Sequence, residues 1–100
     1  MNCTRNDQGN ETTLRIDGLL DAVSTSDIRP IIDAVVEDRR ARVVVELSGL
    51  RLIDSSGVGA IVSLFKRVRA QGGEVQVVGI RDQPLAIFRL LRLDRVFSLG

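Results

Sequence analysis

The sequence contains no histidine, no tryptophan and no tyrosine. Without histidine there is no Ser-His-Asp or Cys-His triad, no His-rich metal site and no phosphohistidine relay. Cysteine occurs once, as Cys3, which excludes an intrachain disulfide and a cysteine-based zinc cluster. Three phenylalanines are the whole aromatic content, too few to build platforms on which bases stack. An excess of either charge is also missing. The 14 Lys+Arg against 13 Asp+Glu leave +1, so direct nucleic-acid binding is not the expectation. No apolar run approaches the ~20 residues that span a bilayer, and no signal-peptide pattern opens the chain. The expectation is a cytoplasmic protein with no membrane insertion and no cofactor. What is present, 44% hydrophobic and 27% charged residues in a chain of 100, suits a single small globular domain, residues 1–100.

Residues Met1–Asn10 are polar and aperiodic, which predicts a poorly ordered end or a weak edge strand. Asp7-Gln8-Gly9-Asn10 is a turn signal that would hairpin into the next segment. There Leu14, Ile16 and Gly18 alternate with Thr13, Arg15 and Asp17, the pattern of a half-buried strand. Ser24-Thr25-Ser26-Asp27 offers several helix N-caps. Behind it Ile28, Ile31, Ile32, Val35 and Val36 define one helical face, with Pro30 expected in the first turn. Arg39-Arg40-Ala41-Arg42 reads as a solvated basic exit turn. The β-branched run Val43–Leu47 predicts a central strand buried on both faces, and Leu50, Leu52 and Ile53 return to the core.

A second helix is expected from Ser56 to Gln71, with Val58, Ile61, Val62, Phe65 and Val68 inward and Gly72-Gly73 as its stop. Val75, Val77 and Val78 give another strand. Asp82-Gln83-Pro84 opens a third helix burying Leu85, Phe88 and Leu91, or Ile87 and Leu91. Val96–Leu99 is read as a short strand or apolar tail. This alternation predicts an α/β (α+β mixed) domain, a central mixed sheet of four to five strands flanked by helices.

The most informative segment is Leu52-Ile53-Asp54-Ser55-Ser56-Gly57-Val58-Gly59, an apolar strand leading through a small polar turn into a helix N-terminus. Such a start presents free N–H groups and the positive end of the helix dipole. A phosphate cradle fails as a motif, since neither GxGxxG nor Gly-Lys-Ser/Thr is present. A receiver-like or nucleotide-binding module would use Asp54, with Asp17 and Asp21 as further carboxylates, but the only lysine, Lys66, lies well along the following helix. A phosphorylatable serine is the third reading, and helix capping by Asp54 or Ser55 with glycines for close packing is the structural one. Ser56, Gly59, Ser63 and Lys66 fall on one polar, flat face of this helix, and Ser55 is the residue expected to cap it.

Leu47-Ser48-Gly49-Leu50-Arg51-Leu52-Ile53-Asp54-Ser55-Ser56-Gly57-Val58-Gly59 resembles the signature of STAS domains, the sulfate-transporter and anti-sigma-factor-antagonist family. Asp17-Gly18-Leu19-Leu20-Asp21 and Phe88–Phe97 extend the resemblance over about residues 14 to 99. It implies a non-enzymatic switch of the anti-sigma factor antagonist type, phosphorylated on Ser56 rather than Ser55. The implied partners are an anti-sigma factor that is also a serine protein kinase, and a phosphatase that resets the switch. The contact surface would comprise Asp54, Ser55, Ser56, Gly57, Gly59, Ser63 and Lys66, with Arg89, Arg92 and Arg95 as the next place to look. A STAS accessory subunit or scaffold bracing an ABC-transporter ATPase or a stress-signalling complex is the alternative within the fold.

Overall fold

In the computed structural model, which describes residues 1–99, the polar N-terminal segment forms a seven-residue edge strand, β1 (Asn2–Gln8). It turns at Gly9, φ 61, and pairs antiparallel with β2 (Glu11–Leu20) along its full length, Asn2 opposite Asp17 and Gln8 opposite Glu11. Polar side chains hold it in place of an apolar face. The buried Thr12 hydroxyl donates to Asp7 at 2.8 Å, and Arg5 reaches both Asp7 and Asp38.

Helix α1 (Ala22–Glu37) starts earlier than the Ser24–Asp27 run suggested. Asp21 is its N-cap, accepting from the N–H groups of Val23 and Ser24, while the Ser24 hydroxyl accepts from the Asp21 N–H and closes a capping box. A carboxylate with a reciprocal partner takes the cap ahead of the hydroxyls behind it. Pro30 consequently lies inside the helix, not in its first turn. It is tolerated because it faces solvent, where water can satisfy the Ser26 carbonyl that loses its donor. Ile28, Ile32, Val35 and Val36 are buried as their spacing requires.

Strand β3 (Arg42–Glu46) runs parallel to β2, and β5 (Glu74–Val78) runs parallel to β3, giving the order β1-β2-β3-β5. The fifth strand, β4 (Leu50–Ile53), pairs parallel with the C-terminal end of β2. One sheet face carries the helices: Leu14, Ile16, Val43, Val45 and Val77 are buried against them. The other is open and charge-laced, Arg15 facing Glu46 and Arg42 facing Glu11. Val44 and Glu46 on that side are half-buried, so β3 is central but not buried on both faces.

Helix α2 (Ser55–Ala70) buries Val58, Ala60, Ile61, Leu64 and Val68. Val62 and Phe65, expected inside, are half-buried beside this stripe, and Ala60 and Leu64 take the inner positions. The helix ends in a Schellman turn: Gly72 adopts φ 83, its N–H donates to Arg69 O, and the Gly73 N–H donates to Val68 O.

Helix α3 (Asp82–Leu90) buries Pro84 and Phe88 and leaves Leu91 half exposed beyond its end, contrary to the inward placement expected. Arg92, at φ 61, breaks the helix, and a single turn, α4 (Leu93–Val96), leads into Phe97–Leu99, which form an apolar tail and not a short strand, the other reading of Val96–Leu99. The turn seats Phe97 between two other rings, with centroids 5.0 Å from Phe65 and 5.8 Å from Phe88. Aromatic packing at those distances outweighs strand propensity in so short a segment.

Candidate functional site

Strands β2 and β4 are parallel and in register at Leu20 and Ile53, so their C-terminal ends emerge together. Each ends in a Leu-apolar-Asp triplet, Leu19-Leu20-Asp21 and Leu52-Ile53-Asp54, and each aspartate caps the helix that follows. The Asp54 N–H donates to Leu20 O at 3.1 Å, tying the two starts together. In each triplet the middle residue is buried and the first is exposed: Leu52, expected in the core, is 51% exposed and stands beside Leu19 at 40%. Strict alternation from the buried Leu50 would have kept Leu52 inside; the register shift in the β2–β4 pairing, where Gly18 faces Leu50 and the next residue, Leu19, faces Leu52, turns it out.

Asp54, and not Ser55, is the N-cap of α2. Its Oδ1 accepts from the N–H groups of Ser56 at 2.9 Å and Gly57 at 3.2 Å. Ser55 and Ser56 become the first two helical residues, and neither hydroxyl is hydrogen-bonded among the described residues. Ser55 is exposed and Ser56 half-buried. Gly57 turns inward: a Cβ there would stand 2.8 Å from Ile53 Cγ1, Leu20 Cγ and Leu20 O. Its hydrogen atom is what lets α2 start so close to the ends of β2 and β4, so it shapes the surface from beneath.

Gly59 opens to solvent, where a Cβ would meet nothing within 4 Å; Ser63 is half-buried and Lys66 exposed. Ser56, Gly59 and Ser63 thus form a low ridge two turns long. Its far end meets α1, where Arg67 bridges to Asp33 at 2.7 Å and Ser63 lines a hollow of about 90 Å³ with Arg29 and Arg67. Its near end opens on a larger hollow of about 270 Å³ between Leu19, Leu52, the two capping aspartates and Gln83.

Gln83 is a residue that pattern reading missed. From the first turn of α3 its amide accepts from the Ile53 N–H at 2.9 Å and donates to the Ile53 carbonyl at 3.0 Å. It thereby completes the outer side of β4 as a peptide unit would. Periodicity cannot announce such a contact, since the partners are thirty residues apart. The exposed Leu19 and Leu52 were detectable only through the repeated triplet.

Asp54, Asp17 and Asp21 do not converge as a receiver-like site would require. Asp21 and Asp54 cap different helices, Asp17 sits against Arg15, and Lys66 is ~18 Å along the helix from Asp54. Among the described residues, no group of three or more Cys, Asp or Glu side chains is arranged to hold a metal ion. No helix of these residues is long and apolar enough to cross a membrane.

The STAS domain family matches residues 4–100. In sequence the chain is 29% identical over 87 residues to an anti-sigma F factor antagonist of Paenibacillus polymyxa, covering 86% of this chain and 72% of that protein. In fold it is similar to an anti-sigma factor antagonist from Mycobacterium paratuberculosis, with a TM-score of 0.86 at 22% identity over 96% of this chain and 81% of that one. It is similar also to the Bacillus cell fate determinant SpoIIAA in its phosphorylated form, with a TM-score of 0.78 at 19% identity over 94% and 86% of the two chains. A five-stranded mixed sheet with its helices on one face, entered by a family match over nearly the whole chain, leaves one conclusion: the chain belongs to the STAS domain family.

Proposed function

We propose that this protein is a non-enzymatic, cytoplasmic switch of the anti-sigma factor antagonist type, set by phosphorylation of Ser56. Its partner in this reading is an anti-sigma factor with serine kinase activity, and a phosphatase resets it. The observation that carries the reading is the Ser56 hydroxyl, uncommitted at the start of α2 and heading the Gly59–Ser63 ridge. Small side chains there allow a partner's backbone to approach closely, and Leu19 and Leu52 add apolar area beside it. The likeness to an anti-sigma F factor antagonist supports the choice of partner.

The kinase transfers the γ-phosphoryl group of ATP to Ser56 Oγ, releasing ADP and the hydroxyl proton. The product carries roughly −1.5 to −2 charges at neutral pH. Ordinarily a helix N-terminus welcomes such a group. Here the Asp54 carboxylate already holds the N–H groups of Ser56 and Gly57, so the new charge meets an anion two residues away. It must also be desolvated if the ridge is to be covered, which disfavours the complex. Phosphorylation therefore releases the partner.

The test is mass spectrometry after incubation with the cognate kinase and Mg-ATP, alongside binding measurements. Ser56→Ala should resist labelling and bind constitutively, and Ser56→Asp should bind poorly. Phosphate on Ser55 alone, or none with an active kinase, would overturn the switch and favour the scaffold-subunit alternative.

A further inference from the structure

Two outer edges of the sheet, β1 and β5, are treated differently. β1 is lined by polar residues and tied down by Arg5 to Asp7 and Asp38, and by Arg40 to Asp7. Such charges guard an edge against pairing with another chain. β5 is guarded only at its start, by Glu74, with Arg42 and Arg69 beside it. Between Glu74 and Val78 it carries no charge and no proline.

Its hydrogen-bonding phase follows from its ends. The Glu74 N–H donates to Ala41 O, and Val78 O accepts from the Leu47 N–H. Glu74, Gln76 and Val78 therefore turn their backbone groups toward β3, and Val75 and Val77 turn theirs to the outside. Among the described residues, no turn, cap or further strand pairs with those outward groups. Beside them lies a groove of about 370 Å³, walled by Phe65, Arg69, Val96 and Phe97. Val96 is 48% exposed there.

We infer that β5 is a self-association edge, at which two copies of this chain pair antiparallel about Gln76 and join their sheets into one. The segment Val75-Gln76-Val77 reads the same in both directions, which suits a two-fold axis through Gln76. In this register Val75 bonds to Val77 of the second copy and the reverse, so the outward N–H and C=O groups of both residues are satisfied on both sides. Glu74 stands opposite Val78 of the second copy, so like charges do not oppose each other. On the open face the two Gln76 side chains meet. Each accepts from its own Arg42 through Oε1 and keeps its NH₂ for its mate. On the helix face the half-buried Val75 of one copy stands beside Val77 of the other, which its own helices already bury, and the two grooves adjoin.

The edge is separate from the Ser56 ridge, so the inference stands or falls independently of the proposed switch. Sedimentation velocity from micromolar to sub-millimolar concentration should show a reversible dimer. Val75→Pro removes only an outward N–H and leaves the β3 ladder whole, and it should abolish dimerisation while circular dichroism stays native. Gln76→Lys places two like charges across the axis and should weaken dimerisation about tenfold. Mixing it with Gln76→Glu should restore a heterodimer. With Cys3 replaced by serine, Gln76→Cys should crosslink across the axis on oxidation, where non-bonded antiparallel partners lie ~4.5 Å apart, whereas Thr13→Cys, also on the open face, should not. Ser56→Ala should leave the dimer unchanged. A chain that stays monomeric throughout, with Gln76→Cys crosslinking no better than Thr13→Cys, would overturn the inference. So would a dimer indifferent to both Gln76→Lys and a folded Val75→Pro.

Discussion

Gly57 and Gly59 sit two residues apart at the start of α2, and the same substitution at each should move stability in opposite directions. Alanine gains roughly 0.5–1 kcal/mol over glycine within a helix. At Gly59 that gain stands alone, because a methyl there meets nothing within 4 Å. At Gly57 the methyl would stand 2.8 Å from three atoms, of which Leu20 O is backbone and already accepts from the Asp54 N–H. Relieving that overlap means moving β2, β4 or the helix start, and overpacking of this kind costs ~1–3 kcal/mol. Gly57→Ala should therefore lose about 1–2 kcal/mol net, and Gly59→Ala should gain about 0.5–1 kcal/mol. For a domain of this size each kcal/mol moves the melting temperature by roughly 4–8 °C. Urea and thermal melts followed by far-UV circular dichroism read both. A Gly57→Ala protein as stable as the parent would refute the packing argument. A destabilised Gly59→Ala would mean that the ridge is not open. Because Gly59→Ala leaves the fold intact, any loss of partner binding in it would report on the ridge alone.

Three further outcomes are expected. Phe88→Ala should cost ~3–5 kcal/mol in urea denaturation, since its ring is fully buried, and the half-buried Phe65→Ala should cost clearly less; equal losses would contradict the assignment of Phe88 to the core centre. Gln83→Ala leaves the Ile53 N–H and carbonyl without their partner, so it should lose about 1–3 kcal/mol and speed hydrogen exchange at the Ile53 amide, whereas unchanged exchange would show that Gln83 does not close β4. Asp21 is held below the ordinary carboxylate range by the Ser24 N–H and hydroxyl, Asp7 by the Thr12 hydroxyl and then Arg5, and Glu46 by hydrogen bonding from Ser48. Lowered folded values mean that their stabilisation is complete above the ordinary pKa of about 4 and is lost as pH falls through the folded values, so melts should weaken in acid and Asp21→Asn should flatten that decline.

Strand and helix order was legible because burial is one-sided and regular in this fold. Leu14 and Ile16 alternate, and Ile28, Ile32, Val35 and Val36 recur at helical spacing, so one buried face suffices to identify each element. The Asp-Ser-Ser-Gly turn was legible for the same reason, standing where a period of two gives way to helical spacing. Competition between neighbours was not legible. Asp21 and Asp54 took the caps ahead of nearby serines because a carboxylate accepts two N–H groups at once. Pro30 survives inside α1 because the exposed side of a helix forgives a missing donor. The direction of Leu52, the coiling of Leu93–Val96 and the inward turn of Gly57 depend on contacts between distant segments, which local spacing does not encode.

The amide of Gln83 has a consequence for recognition. By occupying both backbone groups of Ile53, it ends the sheet at β4 with a side chain instead of a strand. The corner that carries Ser56 therefore offers no vacant main-chain ladder at Ile53 for an incoming strand to continue. Whatever binds there must read shape and side-chain chemistry, through a helix or loop laid across the ridge. One glutamine thereby closes strand addition at the Ser56 corner, and a binder that adds a strand must engage another edge of the sheet.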